Sequence, residues 1–177
     1  MKTMNILISG FGGQGVLFTG KFLAYEGLLE NKEVTWLPSY GPEMRGGTAS
    51  CSVIISDTPI GSPLVPHPDI LIAMNLPSLD RFEKDVTPGG MIFYDSSLIA
   101  RDVERKDVKA FPVPATKIAE EQGFTTLANM VVMGKMLKET NAFPEEAIDR
   151  TIAKVVSAKR QNLIDLNKKA ISIGYAL

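Results

Sequence analysis

A single α/β domain built on a doubly wound, mostly parallel sheet is the fold class this sequence predicts. Three observations predict it. An apolar run at residues 4–9 is cut by Gly10 and followed by residues at helical spacing, the order of a buried strand feeding a helix. The centre of the chain repeats short apolar or β-branched runs separated by turn residues. The last third is helical in pattern. Together these describe a Rossmann-like sheet with helices on both faces and a helical C-terminal third, over residues 1–177 as one domain.

Residues 4–9 are the first strand. The first helix spans residues 16–29, where Val16, Phe18, Phe22, Leu23, Tyr25 and Leu29 fall mostly on one side, and it ends near Asn31. A second strand at 34–37 stops at Pro38, and a third at 49–56 closes on the turn Asp57-Thr58-Pro59. Two buried strands follow at 69–74 and 91–94, the latter announced by Pro88-Gly89-Gly90. Pro112 demotes the run at 108–113 to an edge strand. Helices are expected at 115–122, 125–138, 144–157 and 159–173, with Pro144 suited to a first helical position. Lys159, Arg160, Lys168 and Lys169 read as a solvated face of the last helix.

Composition narrows the function. Lysine and arginine number 19 against 20 aspartate and glutamate, so no net field draws nucleic acid or anionic lipid to the surface. A hydrophobic share of 45% is enough for a core without disulfide staples. The single cysteine, Cys51, cannot make an internal disulfide or supply a cluster's thiolates, which suits a reducing, cytoplasmic setting. The N-terminus runs straight into a strand, unlike a signal peptide, and no apolar run is long enough to span a membrane.

The run Gly10-Phe11-Gly12-Gly13-Gln14-Gly15 satisfies GxGxxG between a strand and a helix, the context that gives that pattern meaning. Its glycines let backbone N–H groups approach an anion at the positive end of a helix. They equally serve a tight turn and close helix–sheet packing. A full dinucleotide site also needs an acid at the end of the second strand, about 20 residues on, and Val34-Thr35-Trp36-Leu37-Pro38 offers none. The second loop, Ser39-Tyr40-Gly41-Pro42-Glu43-Met44-Arg45-Gly46-Gly47, should lie at the same carboxyl edge as the first. Arg45 offers a planar fork for a carboxylate or phosphate, or else pairs internally with Glu43.

GFGGQGV, then SYGPEMRGGTASCSVIIS, then PDILIAMN, in that order, closely resemble the gamma subunit of the 2-oxoacid:ferredoxin oxidoreductases across nearly the whole chain. The resemblance implies a place in a complex that converts a 2-oxoacid, coenzyme A and oxidised ferredoxin to acyl-CoA, carbon dioxide and reduced ferredoxin. It implies alpha and beta partner subunits, with or without a delta subunit, that hold thiamine diphosphate, magnesium and 4Fe–4S clusters, with ferredoxin met through the complex. Within the family, EMRGGTASCSVIIS followed by LIAMN looks most like the 2-oxoglutarate enzymes, with branched-chain and pyruvate versions as alternatives.

The chain has no Gly-Asp pair for a metal-bound diphosphate and too few cysteines for a cluster. No catalytic or metal-ligating residue is therefore assigned, and the isolated chain is expected to be inactive. The expected cofactor or subunit contacts are Gly10, Gly12, Gly13, Gln14, Gly15, Ser39, Tyr40, Gly41, Glu43, Arg45, Gly46, Gly47 and Asn75. Asn75, at the end of the strand at 69–74, either meets a ligand or caps the segment at 76–82, and Asp95 poses the same choice. Cys51 reads as a small core residue, His67 as loop surface, and Asn129 as a core or interface polar group on a methionine-rich helix. The rival from another class is a free-standing nucleotide-binding dehydrogenase, carried by GxGxxG alone.

Overall fold

The computed structural model describes residues 3–41, 47–156 and 161–177. The chain runs β1 (Met4–Phe11), α1 (Val16–Leu29), β2 (Glu33–Tyr40), β3 (Thr48–Ser56), β4 (Ile70–Ala73), α2 (Leu76–Phe82), β5 (Met91–Asp95), β6 (Lys109–Val113), α3 (Ala115–Glu121), α4 (Ala128–Thr140), α5 (Glu145–Val155) and α6 (Gln161–Ala176). Six strands form one sheet in the order β2-β3-β1-β4-β5-β6. β1, β4, β5 and β6 are parallel neighbours, and only β3 runs against its neighbours, β1 and β2. The sheet is thus mostly parallel, as the pattern predicts.

The reversed strand changes one step of the sequence argument. β2 and β3 form a hairpin, so the strand beside β1 is β3, and its C-terminal end, Ser56, lies at the opposite edge from the glycine turn. The expected position of a ribose-binding acid is filled instead by Thr48 and Ala49, the start of β3. The strand's direction, and not only the missing acid on β2, departs from the arrangement that holds a dinucleotide's ribose.

Two expected boundaries move. Ser39 and Tyr40 belong to β2 and not to the loop: Pro38 is accommodated within an edge strand, in register with Cys51. Gly10 and Phe11 extend β1, in register with Ala49 and Thr48. The last three helices are recovered with shifts at their ends, and α4 begins at Ala128, three residues later than its pattern suggests.

The larger core lies on the sheet face formed by Ile6, Ile8, Cys51, Val53 and Ile55, against α1 and the C-terminal helices. The smaller lies on the other face, where Leu7, Leu71, Ile92 and Tyr94 meet Leu79 of α2 and the loop residues Ile99 and Val103. Helix α1 is buried on more than one side. Gly20 sits so close to Cys51 and the Trp36 indole that a Cβ would clash, Gly27 faces Val34 and Ile55, and Glu26 is fully buried. Small residues let α1 lie on β3 while its far side meets α5. Burial pushes the Cys51 thiol up to about 12, which makes it the inert core residue expected of it. No helix among the described residues is long and apolar enough to cross a membrane.

Candidate functional site

The two loops meet at the carboxyl edge of the sheet. Gly12 N–H donates to the Gly47 carbonyl at 2.9 Å, so the turn after β1 and the end of the β2–β3 hairpin are bonded neighbours. Sequence reasoning placed them together, although through a doubly wound crossover and not through a hairpin. Of the second loop, Gly41 and Gly47 are described, and Glu43, Arg45 and Gly46 lie outside the described residues.

The glycines of the turn differ in role. Gly10 is buried, and a Cβ there would stand 2.7 Å from Gln14 Oε1 and 2.9 Å from Met74 Cβ, so it is needed for close packing of β1 on its own turn. Gly13 (φ 104°) and Gly15 (φ 74°) occupy left-handed backbone, which glycine adopts at no steric cost. Gly13 is exposed with open space where a side chain would be. Gly15 is the N-cap of α1 and gives it no side-chain cap; the first i→i−4 bond is Thr19 N–H to Gly15 O at 2.9 Å. The N–H groups of Val16, Leu17 and Phe18 precede that bond, leaving the positive end of a 14-residue helix uncapped.

Gln14 and Asn75 make internal bonds, and Asn75 takes the capping role that was one of its two expected readings. Gln14 Oε1 accepts from Phe11 N–H at 2.7 Å and from Asn75 Nδ2 at 3.2 Å, while its Nε2 donates to the Met74 carbonyl at 2.9 Å. Asn75 is buried and caps α2, accepting from Ser78 N–H at 2.9 Å. This pair ties the ends of β1 and β4 together at the point where chain connections leave for opposite faces of the sheet, the place where open α/β sheets bind ligands. Asn75→Ala is expected to cost about 1 kcal/mol through the lost cap, measured by urea denaturation.

Beside this staple is a cleft of about 310 Å³ that Gly10, Phe11, Thr48, Ser78, Arg81 and Phe82 help to line. Arg81 lies over the Phe82 ring, 5.0 Å from its centroid, with Nη1 3.1 Å from Asp85 Oδ2 and most of its side chain exposed. A stacked, accessible guanidinium at this edge can receive a carboxylate or phosphate. Sequence reasoning missed Arg81 and Phe11. The available signal was position: α2 follows a strand at the switch point, and Ser78 and Arg81 share one face of it.

Elsewhere the ambiguous polar residues resolve as structural. Asp95 is fully buried and caps α3, accepting from Ala115 N–H at 3.1 Å and from Thr116 Oγ1 at 2.5 Å. Asn129 donates from Nδ2 to Gly15 O at 3.2 Å and to Thr19 Oγ1 at 2.9 Å, joining α4 to the start of α1. His67 is exposed on its loop. Among the described residues no cluster of three or more His, Cys, Asp or Glu side chains gathers to hold a metal.

A model of the family described as pyruvate ferredoxin/flavodoxin oxidoreductase matches residues 5–177. The ketoisovalerate oxidoreductase subunit VorA of Methanothermobacter thermautotrophicus is 42% identical over 171 residues, which are 97% of this chain and 35% of the relative. The 2-oxoglutarate synthase subunit KorC of Methanocaldococcus jannaschii is 36% identical over 168 residues, 92% of this chain and 90% of the relative. The chain therefore spans about a third of the ketoisovalerate relative and nearly the whole of the 2-oxoglutarate one. The 2-oxoglutarate type, which the motifs favour, is the less similar of the two. Among solved structures, the gamma subunit of a keto/oxoacid ferredoxin oxidoreductase from Geobacter sulfurreducens superposes with a TM-score of 0.82 at 28% identity, over 98% of this chain and 96% of that one. A 2-oxoglutarate:ferredoxin oxidoreductase from Magnetococcus marinus shares the fold, with a TM-score of 0.88 at 24% identity over 31% of its chain.

Proposed function

Because the chain belongs to the pyruvate ferredoxin/flavodoxin oxidoreductase family, we propose that it is the gamma subunit of a 2-oxoacid:ferredoxin oxidoreductase. In this reading the two-loop edge is its face toward the partner subunits. The observation that carries the reading is the bonded pair of loops, Gly12 to Gly47, at the edge where Gly10, Phe11 and Thr48 share a cleft with the exposed Arg81. A stacked, accessible guanidinium on this edge suits a partner's carboxylate or the phosphates of coenzyme A. Among the described residues no carboxylate, histidine or thiol lines its cleft. Phe11 and Tyr40, 40% and 52% exposed at the ends of β1 and β2, are the aromatic anchors such a face needs.

Thiamine diphosphate, magnesium and 4Fe–4S clusters belong on partner chains. A cluster does not fit the described part of this one: its single thiol, on Cys51, is fully buried beneath Gly20, and no group of acids or histidines assembles. For the substrate, the higher identity to the ketoisovalerate subunit supports a branched-chain 2-oxoacid ahead of 2-oxoglutarate.

Affinity purification of the tagged chain from its native cell tests the reading. The expected result is co-purification of thiamine diphosphate and iron–sulfur subunits, with CoA-dependent reduction of ferredoxin by 2-ketoisovalerate faster than by 2-oxoglutarate. A reversed order of rates overturns the substrate assignment alone. Ferredoxin reduction by the isolated chain, or micromolar binding of NAD(H) to it, overturns the subunit assignment and favours a free-standing nucleotide enzyme. Phe11→Ala or Tyr40→Ala is expected to weaken assembly about tenfold while leaving the melting temperature of the isolated chain unchanged, read by titration of the variant against the remaining subunits.

A further inference from the structure

β2 is an outer strand of the sheet, and among the described residues no strand pairs with its other side. Gly41 N–H donates to the Thr48 carbonyl, and in an antiparallel pair alternate residues turn their polar groups to the same side. Glu33, Thr35, Leu37 and Ser39 therefore bond β3, while Val34, Trp36, Pro38 and Tyr40 turn theirs outward. Pro38, which has no N–H, sits where β3 needs none. Edge strands are usually blunted by lysine, bulges or shortness. This one has eight residues, an unbroken register with β3, no lysine and a single charge, Glu33, at its start.

The side chains along this edge are apolar and exposed. Trp36 and Leu37 are 41% and 38% exposed, and Tyr25 and Leu28 of α1 are 36% and 54% exposed. Strand and helix contribute to one patch. Trp36 and Val34 meet Gly20 and Gly27 of α1, so they stand on the face of the sheet that α1 covers. One flank of α1 turns to the middle of the molecule: Thr19 bonds Asn129 of α4, and α4 lies over β5 and β6. Lys21, Tyr25 and Leu28, at i, i+4 and i+7, stand on the opposite flank, toward the free edge of β2. Lys21 Nζ lies 5.7 Å from the Tyr25 ring centroid.

We infer that this edge joins two copies of the chain about a two-fold axis, β2 antiparallel to β2, with Trp36 opposite its counterpart. In that register each Trp36 exchanges both backbone bonds with the other, and each Val34 N–H donates to the Pro38 carbonyl of the second copy. The missing N–H of Pro38 then costs one bond on each side. The axis keeps both α1 helices on one face, where Tyr25 and Leu28 of the two copies close over the tryptophan pair. A lone added strand would leave Tyr25 and Leu28 in water, whereas a second copy brings a matching helix with its strand. The four side chains of each copy bury roughly 700 Å² between them, and the paired strands raise the total to the order of 1,000 Å², where specific interfaces begin. A net charge of −1 opposes no such approach. The patch runs along the side of β2, apart from the two-loop face at the strand ends, and does not depend on the subunit assignment.

Trp36 is the single tryptophan of the chain, so its fluorescence reports on the patch alone. Sedimentation equilibrium of the full chain between about 1 and 500 µM is expected to show a monomer–dimer equilibrium with a micromolar dissociation constant. Over the same concentrations the Trp36 emission should shift to the blue and its quenching by iodide should fall. Leu28→Lys is expected to weaken the dimer at least about tenfold and to leave the melting temperature of the dilute monomer unchanged. Leu98→Lys, at an exposed position beyond β5, should leave the dimer intact. A monomer at every concentration overturns the inference, and so does a dimer that forms with no change in the quenching of Trp36 or that Leu28→Lys does not weaken. Protection of Trp36 that appears only when subunits of the native complex are added overturns it too, and gives the edge to a different chain. The quenching of the unaltered chain decides the matter even where the Leu28 variant does not fold.

Discussion

Valine at Gly134 is expected to lower the stability of the protein by about 3 kcal/mol, at the upper end for overpacking of a tight core. The reason lies in how α4 and α6 cross. A Cβ on Gly134 would run into the Ile171 carbonyl oxygen and stand 2.9 Å from Tyr175 N, and one on Gly174 would run into the Val131 carbonyl oxygen and stand 3.1 Å from Lys135 N. The obstacles are backbone atoms on both sides, so no rotamer change can admit a side chain. The helices must separate instead, and the buried residues around the crossing, Met130, Val131 and Ile171, then lose close contact. For a chain of this length the loss corresponds to a fall in melting temperature of roughly 6–12 °C. Gly61→Ala is the control, since nothing lies within 4 Å of that position, and it should leave melting unchanged. Valine at both Gly134 and Gly174 is expected to cost less than the sum of the two single changes, because one separation of the helices admits both side chains. Equal melting of Gly134→Val and Gly61→Ala would show that the helices are not held by this crossing.

That crossing was hidden in the sequence, and the reason is general. Glycine in a helical pattern reads as a local weakness, and only the partner helix explains why it is there. Elements governed by local chemistry were more legible. Helix α1 begins at Val16 and ends at Leu29, as its apolar spacing and Asn31 indicate. The edge position of β6 follows from Pro112. Pro38 misled because the same rule has an exception on edge strands, and β2 is at the edge only because β3 inserts beside β1, a long-range fact. At the candidate site the two loops were rightly placed side by side, because a strand parallel to β1 must end at the same edge. Gln14 reads as a loop contact and Asn75 as either a contact or a cap, because the sequence shows a polar side chain at the carboxyl edge and not its partner. What sends them inward is their bond to each other and to the Met74 carbonyl, a pairing across 61 residues that no local pattern encodes. Arg81 was overlooked for the opposite reason, since an arginine on a short exposed helix reads as a solvated charge.

The second large effect concerns Glu26, whose replacement by glutamine is expected to stabilise the protein at neutral pH and not in acid. Glu26 lies on the inward side of α1 toward α5, fully buried, and neither carboxylate oxygen has a hydrogen-bond partner of normal length. Burial raises its pKa from 4.5 to about 6; the Thr151 hydroxyl works against the shift, the Glu30 carboxylate adds to it, and Arg150 opposes it. Arg150 is drawn off by its own bond to Glu30, 2.6 Å from Nη2 to Oε1, and among the described residues no other cation is seen to act on Glu26. A carboxyl whose folded pKa is raised favours the folded state when protonated. Its full contribution is present below about pH 4.5 and is lost as the pH rises through about 6. Above that window the buried charge costs about 1–2 kcal/mol, the shift converted at about 1.4 kcal/mol per unit and reduced for residual screening. Glu26→Gln keeps the shape and removes the charge. Urea denaturation should give the variant a gain of about 1–2 kcal/mol near pH 7.5 and almost none near pH 4. An equal gain at both pH values would mean that packing and not ionisation separates the two side chains. A loss at neutral pH would mean that the carboxylate is held by a donor on α5, and the seam between α1 and α5 would then be tightened, not strained, by its charge.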